Sequence, residues 1–430
     1  MNLYTAKVAL RHMMVLAICG GSATATRLWL RRARRPRPHP GTWRILVVRP
    51  DHLGDLLFAT PALDRLRQAL PTAHITALVG PWGAPMWKDN PALNCLQVVP
   101  FPGISGERTG SLLAPYTLLG RLSRRLAMRG YDSGIVLRFD HWWGAALLWA
   151  AGIPVRWGYG TPGMGLWLNR KVRYVPGKHE VEQNLYLMQA MVRAMAGPSG
   201  LSRVGPLYIS RREGRPPLRP PEPAAPPQDV MAGWADAPYR VVIHPGSGAA
   251  NKLWTIRGWA EIAARLAAEG RAVALTGSAG ERMLTDAIAS EYEALHAQPG
   301  RGGNPPVHLP QLYNLAGRTA DLHQLVWVLQ HAHIVLGVDS GPLHIAAALH
   351  KPTLHLYGPS DEAIWGPWGD PRLHRTLRAP GTRPTMKLDT GAPALQGGPD
   401  MQAITVDMVM AAIRELMGEC ERMMPDGPDG

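Results

Sequence analysis

Cysteine is scarce in this sequence: Cys19, Cys95 and Cys420 are widely spaced and form no C-x-x-C pair among 430 residues. This pattern supports neither a disulfide framework nor a structural zinc site, and it fits a reducing compartment. The chain also lacks a Gly-Lys-Ser/Thr phosphate loop and any obvious repeat, which argues against an ATP-binding P-loop and a solenoid. What is present, 46% hydrophobic and 18% charged residues, is typical of a folded protein long enough for two domains.

Acidic residues are absent from the first 44 positions, which contain nine lysines and arginines. The remaining chain therefore carries only +5 of the net charge of +14. The apolar stretch Met13 to Cys19 is much shorter than the roughly 20 residues that span a bilayer. We predict that residues 1–44 form a basic extension that contacts an anionic membrane surface through Leu28, Trp29 and Leu30. A disordered extension or a start site assigned too far upstream is the alternative.

Beyond this extension, short apolar runs alternate with amphipathic segments, which is typical of α/β folds. We predict a first Rossmann-like domain over residues 45–210 and a second over residues 239–400. Residues 211–238 are rich in proline and lack periodicity, so they are predicted to form a linker. An amphipathic helix over residues 401–418 is expected to pack back on the first domain.

Two carboxylates follow the first predicted strand, in the segment Asp51-His52-Leu53-Gly54-Asp55. Open α/β sheets bind ligands at this end of their strands. Asp55 lies at the start of a predicted helix, where a carboxylate could accept a proton from an attacking hydroxyl or simply cap the helix. His52 is a weaker candidate for the base.

Small residues fill the loop His244-Pro245-Gly246-Ser247-Gly248 after another predicted strand. Ser247 could donate a hydrogen bond to a phosphate, and Lys252 could neutralise a departing diphosphate. A solvated surface charge is the alternative for Lys252. The chain's one G-x-G-x-x-G spacing, residues 158–163, follows no clear strand and is interpreted as a turn, which disfavours NAD chemistry.

Two further turns precede predicted helices in the second half. Glu281 could accept hydrogen bonds from ribose hydroxyls or favour the positive end of its helix. Residues 314–319 could present backbone groups to a nucleobase edge or form a plain turn.

The segment from Val338 to Leu349 is the most informative in the chain. Asp339, Ser340 and Gly341 form a bend between an apolar strand and a helix that begins near Pro342. Free backbone N–H groups at such a helix start attract an anion, and a carboxylate beside them suits a sugar nucleotide. An ordinary Gly/Pro turn into a helix is the alternative.

In this order, these segments resemble glycosyltransferase family 9, the heptosyltransferase family of bacterial lipopolysaccharide assembly, across residues 45–418. The resemblance implies an α/β fold of the GT-B type, with two Rossmann-like domains facing across a central cleft. It also implies an inverting transfer without a metal or another cofactor. The segments that carry the resemblance are Arg49 to Asp55, His244 to Ser247, Lys252 to Trp254, Gly337 to His344 and Tyr357 to Pro359.

Carried onto this chain, the family pattern makes Asp55 the base that deprotonates the acceptor hydroxyl. Lys252 would bind the donor phosphates and Asp339 the hydroxyls of the donor sugar. The remaining donor-binding residues would be Ser247, Glu281, Ser340, Gly341 and His344.

The expected reaction moves a sugar, heptose from ADP-heptose, to a lipopolysaccharide-core or related glycolipid acceptor. The expected location is cytoplasmic, peripheral at the inner face of the cytoplasmic membrane. The segments 101–109, 142–143 and 178–184 should shape the acceptor pocket but carry no recognisable motif. Two alternatives are a GT-B epimerase or hydrolase of nucleotide sugars, and a non-catalytic nucleic-acid-binding protein that uses the basic extension. We do not expect a nucleic-acid partner, because the body lacks a basic stripe interleaved with aromatic residues.

Overall fold

The computed structural model describes residues 8, 10–17, 42–104, 111–204, 216–297, 312–385 and 397–423, with backbone alone at 196–204 and 296–297. The chain divides into two compact units, residues 1–214 and 215–430, so the boundary falls inside the segment predicted to be a linker. Within the described residues, no helix combines the length and hydropathy needed to span a bilayer. The predicted lipid contact at Leu28 to Leu30 and the insertion around residues 298–310 lie outside the described residues.

The first unit is built on a sheet of six parallel strands in the order β3-β2-β1-β4-β5-β6. Its strands are β1 Arg44–Arg49, β2 His74–Val79, β3 Cys95–Val98, β4 Ser133–Val136, β5 Val155–Tyr159 and β6 Arg170–Val172. Its helices are α1 (residues 10–17), α2 Leu53–Phe58, α3 Thr60–Ala69, α4 Ala84–Trp87, α5 Ala114–Ala127, α6 Trp142–Ala150 and α7 Glu180–Val204. Because every pair is parallel, the carboxyl ends of the strands share one edge.

The second unit repeats this plan with the strand order β12-β11-β10-β7-β8-β9, again with parallel pairs. Its strands are β7 Arg240–His244, β8 Ala272–Leu275, β9 Tyr313–Asn314, β10 Ile334–Val338, β11 Thr353–Tyr357 and β12 His374–Arg378. Its helices are α8 Gln228–Met231, α9 Ile256–Ala268, α10 Arg282–Ala297, α11 Leu322–His331, α12 Gly341–Ala348, α13 Glu362–Trp365 and α14 Val406–Met423.

The central strands of each sheet are buried on both faces, which explains the continuous apolar runs in the sequence. In β10, all five residues are buried, and helix α9 covers the second sheet with an apolar face that includes Trp259, Ile262 and Leu266. Thr255 caps α9 by accepting a hydrogen bond from the backbone N–H of Gly258. Each fully buried side chain of this kind contributes roughly 1.5 to 3 kcal/mol of transfer free energy. The α/β class with two Rossmann-like units is confirmed.

The C-terminal helix corrects one prediction. We expected it to pack back on the first domain, but α14 contacts α9, β11 and β12 of the second unit. Val409, Met410, Ile413 and Leu416 are buried in the core of that unit. The amphipathic pattern identified the buried face correctly but contained no information about which sheet the face would cover.

The proline-rich segment also differs from the expected linker. Residues 216–238 lie against the second unit: the indole N–H of Trp368 donates to the carbonyl of Pro216, and the N–H of Ala224 donates to the carbonyl of His323. Trp234 is fully buried. Prolines leave every carbonyl available as an acceptor, so this segment attaches through carbonyl groups and a few apolar side chains without forming a strand.

The G-x-G-x-x-G segment is a turn, as predicted, but the reason given for it was wrong. A clear strand, β5, ends at Tyr159, so Gly158 belongs to the strand and Gly163 to the following turns. Those turns lead into β6 and not into a helix, which is why the segment is not a dinucleotide-binding motif.

Candidate active site

In the first unit, the acidic motif lies at the carboxyl end of the central strand β1. Arg49 ends β1, Asp51 follows it, and Asp55 is the third residue of α2. The N-cap position belongs to His52, so the alternative of Asp55 as the helix cap is wrong. The side chain of Asp55 is 27% exposed, whereas that of Asp51 is 2% exposed. Asp55 is therefore the carboxylate of this pair that a second molecule can reach.

A buried guanidinium connects these carboxylates to the start of α7. Arg49 Nε lies 2.5 Å from Asp51 Oδ2, and Nη2 lies 2.8 Å from Glu180 Oε1. Its Nη1 donates to Asn184 Oδ1 at 2.9 Å, and Nη2 is 3.7 Å from Asp55 Oδ1. Since a buried charge is costly without partners, these contacts fix the position of Arg49 and, through it, the position of Asp55.

A second arginine extends the network toward the end of β4. Arg138 forms an ion pair with Asp51 Oδ1, and its Nε lies 2.5 Å from Asp140 Oδ1. A chain of ion pairs thus joins Asp55, Arg49, Asp51, Arg138 and Asp140 along the carboxyl edge of the sheet.

The carboxylates of this network differ in their protonation behaviour. Burial opposes ionisation of Asp51, but Arg49 and Arg138 outweigh it and lower its pKa. Burial and the negative charge of Asp51 raise the pKa of Asp55. Burial raises the pKa of Glu180 to about 7 against the opposing effect of Arg49. A partly exposed carboxylate with a raised pKa has the properties of a general base.

In the second unit, four predicted donor residues meet at the end of β10. Lys252 Nζ lies 2.7 Å from Asp339 Oδ2, and His344 Nε2 lies 3.2 Å from Asp339 Oδ1. Ser247 Oγ donates to the carbonyl of Asp339 at 3.2 Å. Burial opposes ionisation of Asp339, but Lys252 and His344 outweigh it and lower its pKa. The alternative of Lys252 as a solvated surface charge is therefore wrong, since its side chain is 15% exposed and paired.

The start of α12 has the geometry of an anion site. Ser340 is the N-cap, Gly341 is the first helical residue, and Pro342 follows, so the first backbone N–H groups lack helical acceptors. Ser340 Oγ is buried and has no hydrogen-bond partner among the described residues. A buried hydroxyl without a partner next to free N–H groups is explained if a ligand supplies the acceptor.

In this structure, the Glu281 side chain caps the short helical turn to which it belongs. Its Oε2 accepts hydrogen bonds from the backbone N–H of Ser278 at 2.7 Å and from the Ser278 hydroxyl at 2.8 Å, forming a capping box. A Cβ on Gly246 would lie 1.9 Å from Glu281 Oε1, so glycine at this position leaves room for the Glu281 carboxylate beside the loop after β7. In the fourth predicted turn, Asn314 donates to Asp286 Oδ1 at 2.8 Å, which leaves base recognition there a prediction.

Sequence reasoning expected residues 178–184 to shape the acceptor pocket, but it did not single out Glu180 or Asn184, because this segment carries no recognisable motif. The available signal was their spacing of four residues, which places two polar side chains on one face of a helix. Both are buried, at 5% and 0% exposure, so their partners had to come from elsewhere in the fold.

Comparison with known proteins shows the family of this chain. The model of glycosyltransferase family 9 (heptosyltransferase) matches residues 119–387, which include Lys252 and Asp339 but not Asp55. The chain is 28% identical over 324 residues to lipopolysaccharide heptosyltransferase 3 of Escherichia coli K12, covering 73% of this chain and 82% of that protein.

Solved structures share the fold. The chain matches a family 9 glycosyltransferase from Veillonella parvula with a TM-score of 0.63 and 20% identity, covering 88% of this chain and 97% of that one. It matches E. coli ADP-heptose lps heptosyltransferase II with a TM-score of 0.60 and 22% identity, covering 88% and 99%. With more than half of its length matched by the family model and its fold shared with these structures, the chain belongs to glycosyltransferase family 9, the heptosyltransferase family.

Proposed function

We propose that this protein transfers heptose from ADP-heptose to a lipopolysaccharide-core or related glycolipid, with inversion at the anomeric carbon. The observation that carries this proposal is Asp55, a partly exposed carboxylate of raised pKa that Arg49 holds at the carboxyl edge of the first sheet. The match to heptosyltransferases supports the class of donor and acceptor.

In the proposed reaction, Asp55 takes the proton from an acceptor hydroxyl while that oxygen attacks the anomeric carbon. The attack comes from the face opposite the nucleotide, so a new C–O bond forms as the bond to the diphosphate breaks. The electron pair of the broken bond leaves with ADP. Arg49 stays paired with Asp51 and Glu180, so Asp55 can change its protonation state while the surrounding ion pairs remain.

The donor half of the proposal rests on the second unit. Lys252 and the N-terminus of α12, at Ser340 and Gly341, would bind the diphosphate, while Asp339 and His344 would orient the sugar. Positive charge next to the leaving phosphate stabilises the negative charge that develops there. We propose that Lys252 supplies this charge without a metal ion.

We further propose that the protein works at the inner face of the cytoplasmic membrane, where a glycolipid acceptor is reached. The described part of the basic extension, α1, exposes Leu10, Met13 and Leu16 on one side. Residues 1–44 contain basic but no acidic side chains, which complements an anionic lipid surface.

The proposal is tested with the purified protein, labelled ADP-heptose, and glycolipid extracted from cells that lack this protein. We expect the glycolipid to gain the mass of one heptose, an inverted anomeric configuration by NMR, and the same rate with and without a chelator. Rapid turnover of ADP-heptose in the absence of acceptor would instead favour an epimerase or hydrolase. Binding to anionic but not neutral vesicles tests the membrane contact, and equal binding to both would contradict it.

A further inference from the structure

A small cavity of about 50 Å³ lies where the N-terminal helix α1 meets the carboxyl edge of the first sheet. Arg11 and His12 of α1 form one wall, and Asp140 and Trp142, which follow β4, form another. Gly163, in the turn after β5, completes this group, and its φ of +88° requires glycine. The cavity therefore combines a segment that precedes the first domain with the two loops that end β4 and β5.

Helix α1 is packed onto the first unit through several contacts. Val15 is fully buried in the same hydrophobic cluster as Trp143 and Trp167. The ring of His12 meets the ring of Trp167 edge to face, with centroids 5.1 Å apart. Arg11 places its guanidinium 5.2 Å from the centre of the Trp142 ring. These contacts hold the inner face of α1 at the cavity while Leu10, Met13 and Leu16 point elsewhere.

Of the charged residues around the cavity, Asp140 has an ion-pair partner among the described residues and Arg11 does not. Asp140 is neutralised by Arg138, whose Nε lies 2.5 Å from it. Arg11 forms no ion pair with any of the described residues, and its guanidinium lies over the face of Trp142. A guanidinium beside a cavity, without a carboxylate partner, recognises a carboxylate or phosphate with paired hydrogen bonds. An indole and a carboxylate in the same walls suit the apolar face and the hydroxyls of a sugar ring.

The position of the cavity connects it with the proposed base. Asp140 and Arg138 belong to the chain of ion pairs that runs through Asp51 and Arg49 to Asp55. A ligand in this cavity therefore lies along the same sheet edge as the group that would deprotonate the acceptor.

We propose that α1 supplies Arg11 and His12 to a subsite for an acceptor sugar that carries an anionic group. The subsite rests on the proposed transferase function and adds a specificity determinant to it. The anionic group is a phosphate or a carboxylate, and the subsite positions the glycolipid without taking part in the chemical step.

The experiment compares the unmodified protein with Arg11→Ala in the heptose transfer assay, using three acceptors. These are the extracted glycolipid, the same glycolipid after phosphate removal, and the same glycolipid after reduction of its carboxyl groups. With the untreated glycolipid, we expect Arg11→Ala to raise the KM for acceptor roughly ten-fold while kcat and the KM for ADP-heptose stay the same. Arg125→Ala, which removes an exposed arginine from α5, is the matched control and should behave like the unmodified protein.

The chemical class of the anion follows from the treated acceptors. If Arg11 binds a phosphate, its substitution has no effect on the dephosphorylated glycolipid; if it binds a carboxylate, the effect disappears with the reduced one. A purely structural role would raise KM equally for all three acceptors, and that result would overturn the inference. Unchanged kinetics of Arg11→Ala would overturn it while leaving the transferase function intact, whereas absence of transfer by the unmodified protein would overturn both.

Discussion

Each unit contains a parallel sheet of six strands, but the carboxyl edges of the two sheets carry different arrangements of charge. At the carboxyl edge of the first, Asp51, Asp55 and Glu180 share Arg49, and two of the three have raised pKa values. At the corresponding edge of the second, Asp339 pairs with a lysine and a histidine and has a lowered pKa.

The difference indicates how one fold can serve two roles. Where buried carboxylates outnumber the nearby cations, the pKa of some of them is raised. A raised pKa suits a group that must accept a proton during the reaction. A carboxylate such as Asp339, which pairs with a lysine and forms a hydrogen bond with a histidine, stays ionised, which suits a group that only accepts hydrogen bonds. The fold places both Asp55 and Asp339 at the carboxyl edge of a sheet. The charged groups around each carboxylate set its pKa and therefore the role it can have.

The strongest test of this comparison is Asp55→Asn. We expect kcat to fall by roughly 10²- to 10⁴-fold, because the amide cannot accept the proton of the acceptor hydroxyl. The dissociation constant for ADP-heptose, measured by calorimetry, should remain the same, since the donor residues belong to the second unit. Asp89→Asn, an exposed position in the same unit, serves as the control. Normal turnover by Asp55→Asn would show that Asp55 is not the base and would leave His52 as the candidate in the first unit.

In the second unit, we expect Asp339→Asn to weaken the binding of the donor. The amide leaves Lys252 without a charged partner and weakens the contacts to the donor sugar, so we expect roughly ten-fold weaker binding of ADP-heptose, in the range of one charged hydrogen bond. Binding of ADP, which lacks the sugar, should change less. An equal loss for both ligands would show that Asp339 acts on the diphosphate site.

Thermal unfolding as a function of pH gives a second measurement on Asp339. A carboxylate with a lowered pKa stabilises the fold above its unfolded pKa, near 3.9, and this contribution is lost as the pH falls through its folded pKa. The unmodified protein should therefore lose more stability than Asp339→Asn as the pH falls from about 4 to about 2, while the two proteins should respond alike between neutral pH and about pH 4. Parallel curves for the two proteins would contradict the ionised state assigned to Asp339.

Glu180→Gln tests the raised pKa of Asp55 in the first unit. Removing this carboxylate leaves Arg49 with fewer negative partners, so Arg49 favours the charged form of Asp55 more strongly and lowers its pKa. The acidic limb of the pH profile of kcat should move to lower pH by about one unit. A loss of activity at all pH values, with no shift of the limb, would indicate that Glu180 only supports the fold. Glu182→Gln, on the same helix, is the control.

The sequence predicted the fold well because buried parallel strands have a direct signature: β8 and β10 begin and end where their apolar runs do. It singled out Asp55, Lys252 and Asp339 through motifs whose residues are close in sequence, and the roles of these residues stay predictions. It did not predict Glu180, because the partner that explains this buried carboxylate, Arg49, is 131 residues away. The packing of α14 and of residues 216–238 was missed for the same reason, since amphipathicity identifies a buried face but not its partner.

The smallest expected effect concerns Glu281, for which the sequence allowed both ribose binding and a helix-start role. In the structure, Oε2 accepts two hydrogen bonds from Ser278, so its capacity is largely used within the turn. Glu281→Ala should therefore lower the free energy of unfolding by about 1 kcal/mol, as for the loss of a helix cap, and change the affinity for ADP-heptose less than two-fold. Chemical denaturation and calorimetry measure the two quantities. A large loss of affinity with unchanged stability would mean that the carboxylate leaves Ser278 when the nucleotide binds, and would add an acidic side chain to the donor site of the second unit.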